Sequence, residues 1–252
     1  MRSSPLSTNI RKMIIDAAHH AGHGHMPSAL SIVETLIAIE QVKTEEDVFI
    51  LSKGHGCLAY YSFLADKGVI SIEELRNFGK KGSKLGGHPD RNKLEELYAS
   101  TGSLGHGLPI SVGAALARKI QNKNGKIYCL IGDGEANEGS IWEACMIAAK
   151  NQLDNLVCVV DNNNSQIRSL QILNLIDKFK AFGWFTTEVD GHSIEKLASE
   201  LKKQKLSAPR AIIANTIKGK GIKSIENDIF AWHHRAPTEL EYADFLKEIH
   251  ET

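Results

Sequence analysis

Two short apolar runs, each ending in a cluster of polar residues, dominate the pattern of this chain. Residues 127–131 are apolar and stop at Gly132-Asp133-Gly134; residues 156–160 are apolar and stop at four polar residues, Asp161 to Asn164. A helical stretch lies between them. Strands that are apolar almost throughout belong in a sheet covered on both faces, and strand–helix–strand order predicts parallel pairing. In a parallel sheet the ligand crevice lies beyond the carboxyl ends of the strands, where both polar clusters fall. Thirty residues separate Asp133 from Asn163, about one such repeat, so the two side chains can stand side by side. An aspartate, an asparagine and nearby main-chain carbonyls make an all-oxygen set that suits Mg²⁺. Magnesium usually accompanies phosphate, which makes a diphosphate the expected companion.

The same reading predicts further helices over residues 10–20, 28–40, 57–67, 71–78, 108–120, 172–182, 193–205 and 238–248. Ser28, Ser193 and Thr238 are the expected caps, and Ser71 with Glu74 forms a capping box. Further strands are expected over 48–51, 184–189 and 211–214. Residues 1–8 read as a loose leader. Residues 79–109 carry Gly79, Gly82, Gly86, Gly87, Gly102, Gly105 and Gly107 beside His88 and Thr101. A loop of that length in a compact domain points to a working surface. The alternation of strands and helices predicts one α/β domain over 1–252: a doubly wound, mostly parallel sheet with helices on both faces.

Charge and composition narrow the classes. Lys+Arg and Asp+Glu are both 30, so nothing argues for nucleic acid or an anionic membrane surface. No apolar run approaches the roughly 20 residues of a membrane span, and the N-terminal residues lack a signal-peptide pattern. Cys57, Cys129, Cys145 and Cys158 have no metal-like spacing and are expected to be reduced core thiols of a cytoplasmic protein.

Further motifs stand in fixed order around the organising unit. They are Leu51-Ser52-Lys53-Gly54-His55, Gly87-His88-Pro89, Thr101-Gly102-Ser103-Leu104-Gly105, Glu138-Gly139-Ser140-Ile141-Trp142-Glu143-Ala144 and Lys218-Gly219-Lys220-Gly221. With Gly132-Asp133-Gly134 and Asn163, this set resembles the N-terminal, diphosphate-binding half of transketolase over nearly the whole chain. The resemblance implies thiamine diphosphate with Mg²⁺, or Ca²⁺ or Mn²⁺ in its place. It implies that Asp133, Asn163 and the carbonyl of Ser165 hold the metal, and that the amide of Gly134 meets the diphosphate. His55, Gly102 and Leu104 match positions lining the cofactor. His25, His88 and His233 match histidines near the sugar, although neighbouring His234 leaves the last register open. Glu138 matches an acidic residue that couples paired cofactor sites across a subunit interface. The implied reaction moves a two-carbon ketol unit from a ketose or its phosphate to an aldose or its phosphate. Histidine suits the accompanying proton transfers because it titrates near neutrality.

Two motifs depart from the family pattern: Gly24-His25-Met26-Pro27 and Thr101-Gly102-Ser103-Leu104-Gly105-His106-Gly107. Both lie on the substrate side. The domain that holds the aminopyrimidine ring has no counterpart in these residues. The chain is therefore expected to be the N-terminal subunit of a split enzyme, inactive alone. Its expected partner is a C-terminal subunit carrying the pyrimidine-binding domain, in a heterotetramer of two copies of each chain. Three alternatives stay open: a transketolase-like enzyme with a modified sugar acceptor, a decarboxylating 2-keto-acid synthase, and a non-enzymatic cofactor-binding regulator. At single residues plainer readings compete. Asp133 and Asn163 also suit strand-end turns, Lys218 and Lys220 a solvated charge pair, and His19, His20 and His23 a helix end or surface.

Overall fold

A serine followed by proline is a helix start. In the computed structural model, which describes residues 4–168, 170–203 and 207–251, Ser4 caps α1 (Pro5–Ala21) by accepting the Ser7 amide at 3.1 Å. Residues 5–8 are thus the first turn of a helix and not a loose leader, and Ser7 is buried. Residues 1–3 lie outside the described residues. The helix stops at Gly22, whose φ of 72° is the left-handed cap that glycine favours. The single helix expected over 28–40 is two: α2 (Met26–Leu30) and α3 (Val33–Val42). Pro27 in the first turn of α2 moves its start upstream. Ser28 is therefore interior to α2 and not a cap; its carbonyl turns toward Lys53.

The chain continues through β1 (Val48–Leu51), α4 (Cys57–Asp66) and α5 (Ile72–Arg76), where the Ser71 hydroxyl accepts the Glu74 amide at 3.0 Å. After the irregular glycine-rich segment come α6 (Gly107–Ile120), β2 (Ile127–Gly132), α7 (Gly139–Lys150) and β3 (Leu156–Asn162). Then follow α8 (Leu175–Ala181), β4 (Phe185–Asp190), α9 (Ile194–Lys202), β5 (Arg210–Asn215), α10 (Lys223–Asn227) and α11 (Glu239–Glu251). Helix α8 starts later than residue 172 because Asn174, at φ 54°, caps it on the Asp177 amide. Helix α9 ends at Lys202; the rest of its expected span, at 204 and 205, lies outside the described residues.

The five strands form one parallel sheet in the order β1-β2-β3-β5-β4. The two-residue period of a strand divides its apolar side chains between two layers. Ile127, Cys129, Ile131, Leu156, Cys158 and Val160 pack with residues of α6, α7 and α8. Tyr128, Leu130, Val157 and Val159 pack with α1, α3, α4 and α9. Each such side chain contributes roughly 1.5–3 kcal/mol by leaving water, and both layers are needed because strands without a polar face cannot border solvent. The register pairs Gly132 with Asp161 and Asp161 with Ala214, so β2, β3 and β5 end at one edge. All four cysteines are buried and unpaired, as the apolar runs around Cys129 and Cys158 predict. Among the described residues no helix is long and apolar enough to cross a membrane.

Candidate functional site

A cavity of about 350 Å³ opens at that edge. Gly132, Asp133 and Gly134 line it from β2, Asn163 and Ser165 from beyond β3, and Lys218 from beyond β5. Lys53 and His55 reach it from beyond β1, and Gly102 and Leu104 from the glycine-rich segment. His25, His88 and His233 complete the wall. Residues more than two hundred positions apart thus share one space, as the polar strand ends predict.

Asp133 is fully buried. Its Oδ1 accepts the Gly134 amide at 2.8 Å and the Ser165 hydroxyl at 2.6 Å. Its Oδ2 is buried with no partner. Burial pushes the carboxyl pKa up, and the neighbouring Asp161 charge adds to the effect. Such an orphaned oxygen is costly unless a cation meets it. Asn163 is oriented to help. Its Nδ2 donates to Asp161 Oδ2 at 2.7 Å, which fixes the amide so that Oδ1 faces Ser165, whose amide it accepts at 3.0 Å. Asp161 is itself ion-paired with buried Lys53 and accepts the Ser31 and Thr216 hydroxyls. Asp161 is therefore compensated and Asp133 is not. Among the described residues no three His, Cys, Asp or Glu side chains converge on a metal position. One carboxylate with neutral oxygens fits a hard divalent cation such as Mg²⁺, not a zinc-type nitrogen and sulfur set.

With Lys53 paired to Asp161, Lys218 adds a second buried cation to the cavity wall. Lys218 is 3 % exposed, and burial, then the Lys53 charge, brings its pKa down to about 8. The helical stretch expected between the two strands is in fact divided. A 3-10 turn, Gly134–Asn137, precedes α7, and its Gly134 and Ala136 amides bond within the chain, to Asp133. The turn tucks Glu135 inward. Glu135 accepts the Gly105 amide at 2.9 Å, the Ser52 hydroxyl and the Gly132 amide, while burial raises its pKa. Together with the Thr101 hydroxyl bond to the Leu51 carbonyl at 2.6 Å, this fastens the glycine-rich loop to the ends of β1 and β2. Gly102 sits at φ 147°, and a Cβ there would lie 3.0 Å from the His88 ring. Only glycine fits that turn.

Five histidines gather at the cavity mouth. The His25 ring lies 5.5 Å from His55, 5.5 Å from His233, 6.3 Å from His88 and 4.4 Å from His234. Burial first, then neighbouring histidines and lysines, lower the pKa of His25 to about 3. Burial and Lys53 bring His55 to about 2. His88 and His233 are lowered for the same kind of reason. These rings are neutral at pH 7, each with one donor and one acceptor for a hydroxyl. His233 lines the cavity, with Nδ1 3.3 Å from Lys218 Nζ, and His234 packs against His25 beside it.

The structure brings together His25, His55, His88, Gly102, Leu104, Asp133, Gly134, Asn163, Ser165 and His233. Glu138 does not line the cavity. It stands exposed at the start of α7, and Gly105 fits closely against its side chain. Sequence reasoning missed Lys53, Glu135, Asp161 and Lys218 as site residues. The signal was the position of each beside a glycine or strand end already singled out.

The family model for the transketolase thiamine diphosphate binding domain matches residues 3–247. An apulose-4-phosphate transketolase subunit of Actinobacillus succinogenes is 38 % identical over 255 residues, covering 95 % of this chain and 92 % of that protein. The 6-deoxy-6-sulfo-D-fructose transketolase subunit of a Clostridium species is 38 % identical over 257 residues, covering 95 % and 93 %. The crystal structure of the Campylobacter jejuni transketolase superposes with a TM-score of 0.86 at 30 % identity, over 97 % of this chain and 41 % of that one. By sequence, fold and the donor set at its strand ends, the chain belongs to the transketolase family, as the thiamine-diphosphate-binding N-terminal part.

Proposed function

We propose that this chain is the diphosphate-binding subunit of a two-chain transketolase that moves a ketol unit from a modified ketose. The observation that carries the reading is the near full-length match, 92 % and 93 %, to two subunits named for apulose 4-phosphate and 6-deoxy-6-sulfo-D-fructose. The first expectation, an ordinary ketose and aldose phosphate pair, thereby yields to the alternative of a transketolase-like enzyme for a modified sugar, expected there as the acceptor and proposed here as the donor ketose. The altered Gly24-His25-Met26-Pro27 and Thr101 to Gly107 motifs lie on the substrate side and are in keeping with it. No observation favours the decarboxylating or the regulatory reading.

In this account Asp133, Asn163 and the Ser165 carbonyl would hold Mg²⁺, Lys218 would meet the diphosphate, and His55, Gly102 and Leu104 would border the thiamine; the Gly134 amide, expected at the diphosphate, is instead bonded to Asp133 Oδ1. Bound thiamine diphosphate supplies carbanion chemistry that no protein side chain has. The protein's own contribution is position and proton handling. Neutral His25, His88 and His233 can each donate to one sugar oxygen and accept from another, which moves protons without an imidazolium in the ground state. Lys218 Nζ beside His233 Nδ1 disfavours protonation of that ring. A half-site open on one side would leave a bound cofactor exposed to water, so a second chain would supply the missing wall. In this reading Glu138, exposed at the start of α7, would meet another chain. The test is two-carbon transfer by the chain mixed with its partner, thiamine diphosphate and Mg²⁺, using apulose 4-phosphate and 6-deoxy-6-sulfo-D-fructose against fructose 6-phosphate. Transfer by the mixture alone, with preference for a modified ketose, supports the reading. Equal or better use of fructose 6-phosphate overturns the substrate part.

A further inference from the structure

Lys218 is a buried cation on a segment without regular structure, between the end of β5 at Asn215 and the start of α10 at Lys223. A lysine so placed needs its backbone held, because its flexible stem would otherwise carry the charge out to water. Two side-chain bonds grip the main chain on either side of it. The Ile217 amide donates to His192 Nε2 at 2.8 Å, and the Lys220 carbonyl accepts from Arg11 Nε at 2.9 Å. His192 and Arg11 come from different parts of the fold, yet both end on one carboxylate. Arg11 donates to Glu34 Oε1 and Oε2, each at 2.8 Å, and His192 Nδ1 lies 3.1 Å from Oε2.

The geometry settles the His192 tautomer. A main-chain amide can only donate, so Nε2 accepts and the proton sits on Nδ1, directed at Glu34. Arg11 is 1 % exposed and Glu34 4 %. Burial works against the Glu34 charge, yet His192 and Arg11 hold its carboxyl down at about 2. A buried ion pair contributes little net stability against an apolar replacement, and its better-attested use is to fix geometry. The shape of the segment agrees. Gly221 has a φ of 95°, and a Cβ there would lie 2.9 Å from Arg11 Cδ, so the loop is closed tightly onto the arginine.

We propose that Arg11, Glu34 and His192 are positioning residues that hold the Ile217–Lys220 backbone so that Lys218 meets the cofactor's diphosphate. The inference rests on the cofactor reading above. The three side chains do not line the cavity; they act through the loop.

The experiment uses the two-chain complex and reads the dissociation constant of thiamine diphosphate at saturating Mg²⁺ by tryptophan fluorescence, with the melting temperature beside it. His192→Asn keeps a donor for Glu34 but ends short of the Ile217 amide; His192→Gln reaches that amide with its carbonyl. Loss of one such bond weakens cofactor binding about tenfold, so His192→Asn is expected to bind about tenfold more weakly and His192→Gln within about twofold of wild type. Arg11→Lys, which keeps the charge opposite Glu34 but cannot also make the Nε bond to the Lys220 carbonyl, probes the other side of Lys218 and is expected to weaken binding too. In a Lys218→Met background, His192→Asn is expected to cost no further affinity, because its effect passes through that lysine. Should His192→Asn fail to fold, Arg11→Lys with and without Lys218→Met gives the same comparison. Lower melting temperatures with unchanged cofactor affinity would overturn the proposal, and so would losses that add in the double variant. A wild-type complex that binds no thiamine diphosphate overturns the cofactor reading and this inference together.

Discussion

Replacing Asp133 with asparagine is expected to stabilise the metal-free protein and to abolish its response to Mg²⁺ and thiamine diphosphate. The buried carboxylate has one oxygen satisfied by Gly134 and Ser165 and the other without a partner, with Asp161 close enough to raise its pKa further. An unpartnered buried acceptor costs about 1–3 kcal/mol. Asparagine keeps Oδ1 and both its bonds and removes the charge, but leaves an unpartnered Nδ2, so the net gain is set at about 1 kcal/mol. For a domain of this size that is a rise of about 2–4 °C in melting temperature. Ligand reverses the order. At about 100 times its dissociation constant a ligand stabilises the native state by about 2.7 kcal/mol, a gain open to wild type and closed to the variant. Thermal unfolding in EDTA and in Mg²⁺ with thiamine diphosphate reads both effects. The two proteins should exchange rank between the conditions, which general damage to the fold cannot produce. A variant less stable than wild type in EDTA, or one stabilised equally by the ligands, would refute the reasoning.

Two further expectations concern the scaffold. The Glu34 carboxyl is depressed from its ordinary 4.5 to about 2, so its contribution is whole above pH 4.5 and is lost as pH falls from there through about 2. At neutral pH it is on the order of 3 kcal/mol, and urea unfolding as a function of pH should show Glu34→Gln with a flatter profile across that window. Gly107→Ala would place a Cβ 2.3 Å from the Ser52 hydroxyl and 2.6 Å from its Cα. Such overpacking should cost about 1–3 kcal/mol in urea unfolding and loosen the Ser52 bond to Glu135.

The parallel sheet and its working edge were legible because β2 and β3 are apolar throughout and stop abruptly at Asp133 and Asp161. Asn163 was found by spacing, and the histidines and glycines by their order along the chain. Buried charge was not legible. Lys218 stands in a motif that the sequence singles out, but a solvated pair with Lys220 competes there; that it is 3 % exposed is not legible, because the partners that hold its loop, Arg11, Glu34 and His192, lie far off in sequence. Lys53 and Asp161 pair across 108 positions, and no local pattern announces a contact of that range. Glu138 was singled out and Glu135 was not, because a 3-10 turn in place of a regular helix start turns Glu135 inward and leaves Glu138 outside. The Ser4-Pro5 start of α1 was available to the eye but masked by the polar residues around it.

The central claim is that this chain supplies the metal and diphosphate half of a shared ketol-transfer site. It is tested most directly by assaying two-carbon transfer from apulose 4-phosphate or 6-deoxy-6-sulfo-D-fructose, with thiamine diphosphate and Mg²⁺, for the chain, its partner and the two mixed. The account predicts transfer by the mixture alone and its loss with Asp133→Asn. Transfer by the partner without this chain, or by a mixture carrying Asp133→Asn at the wild-type rate, would contradict it.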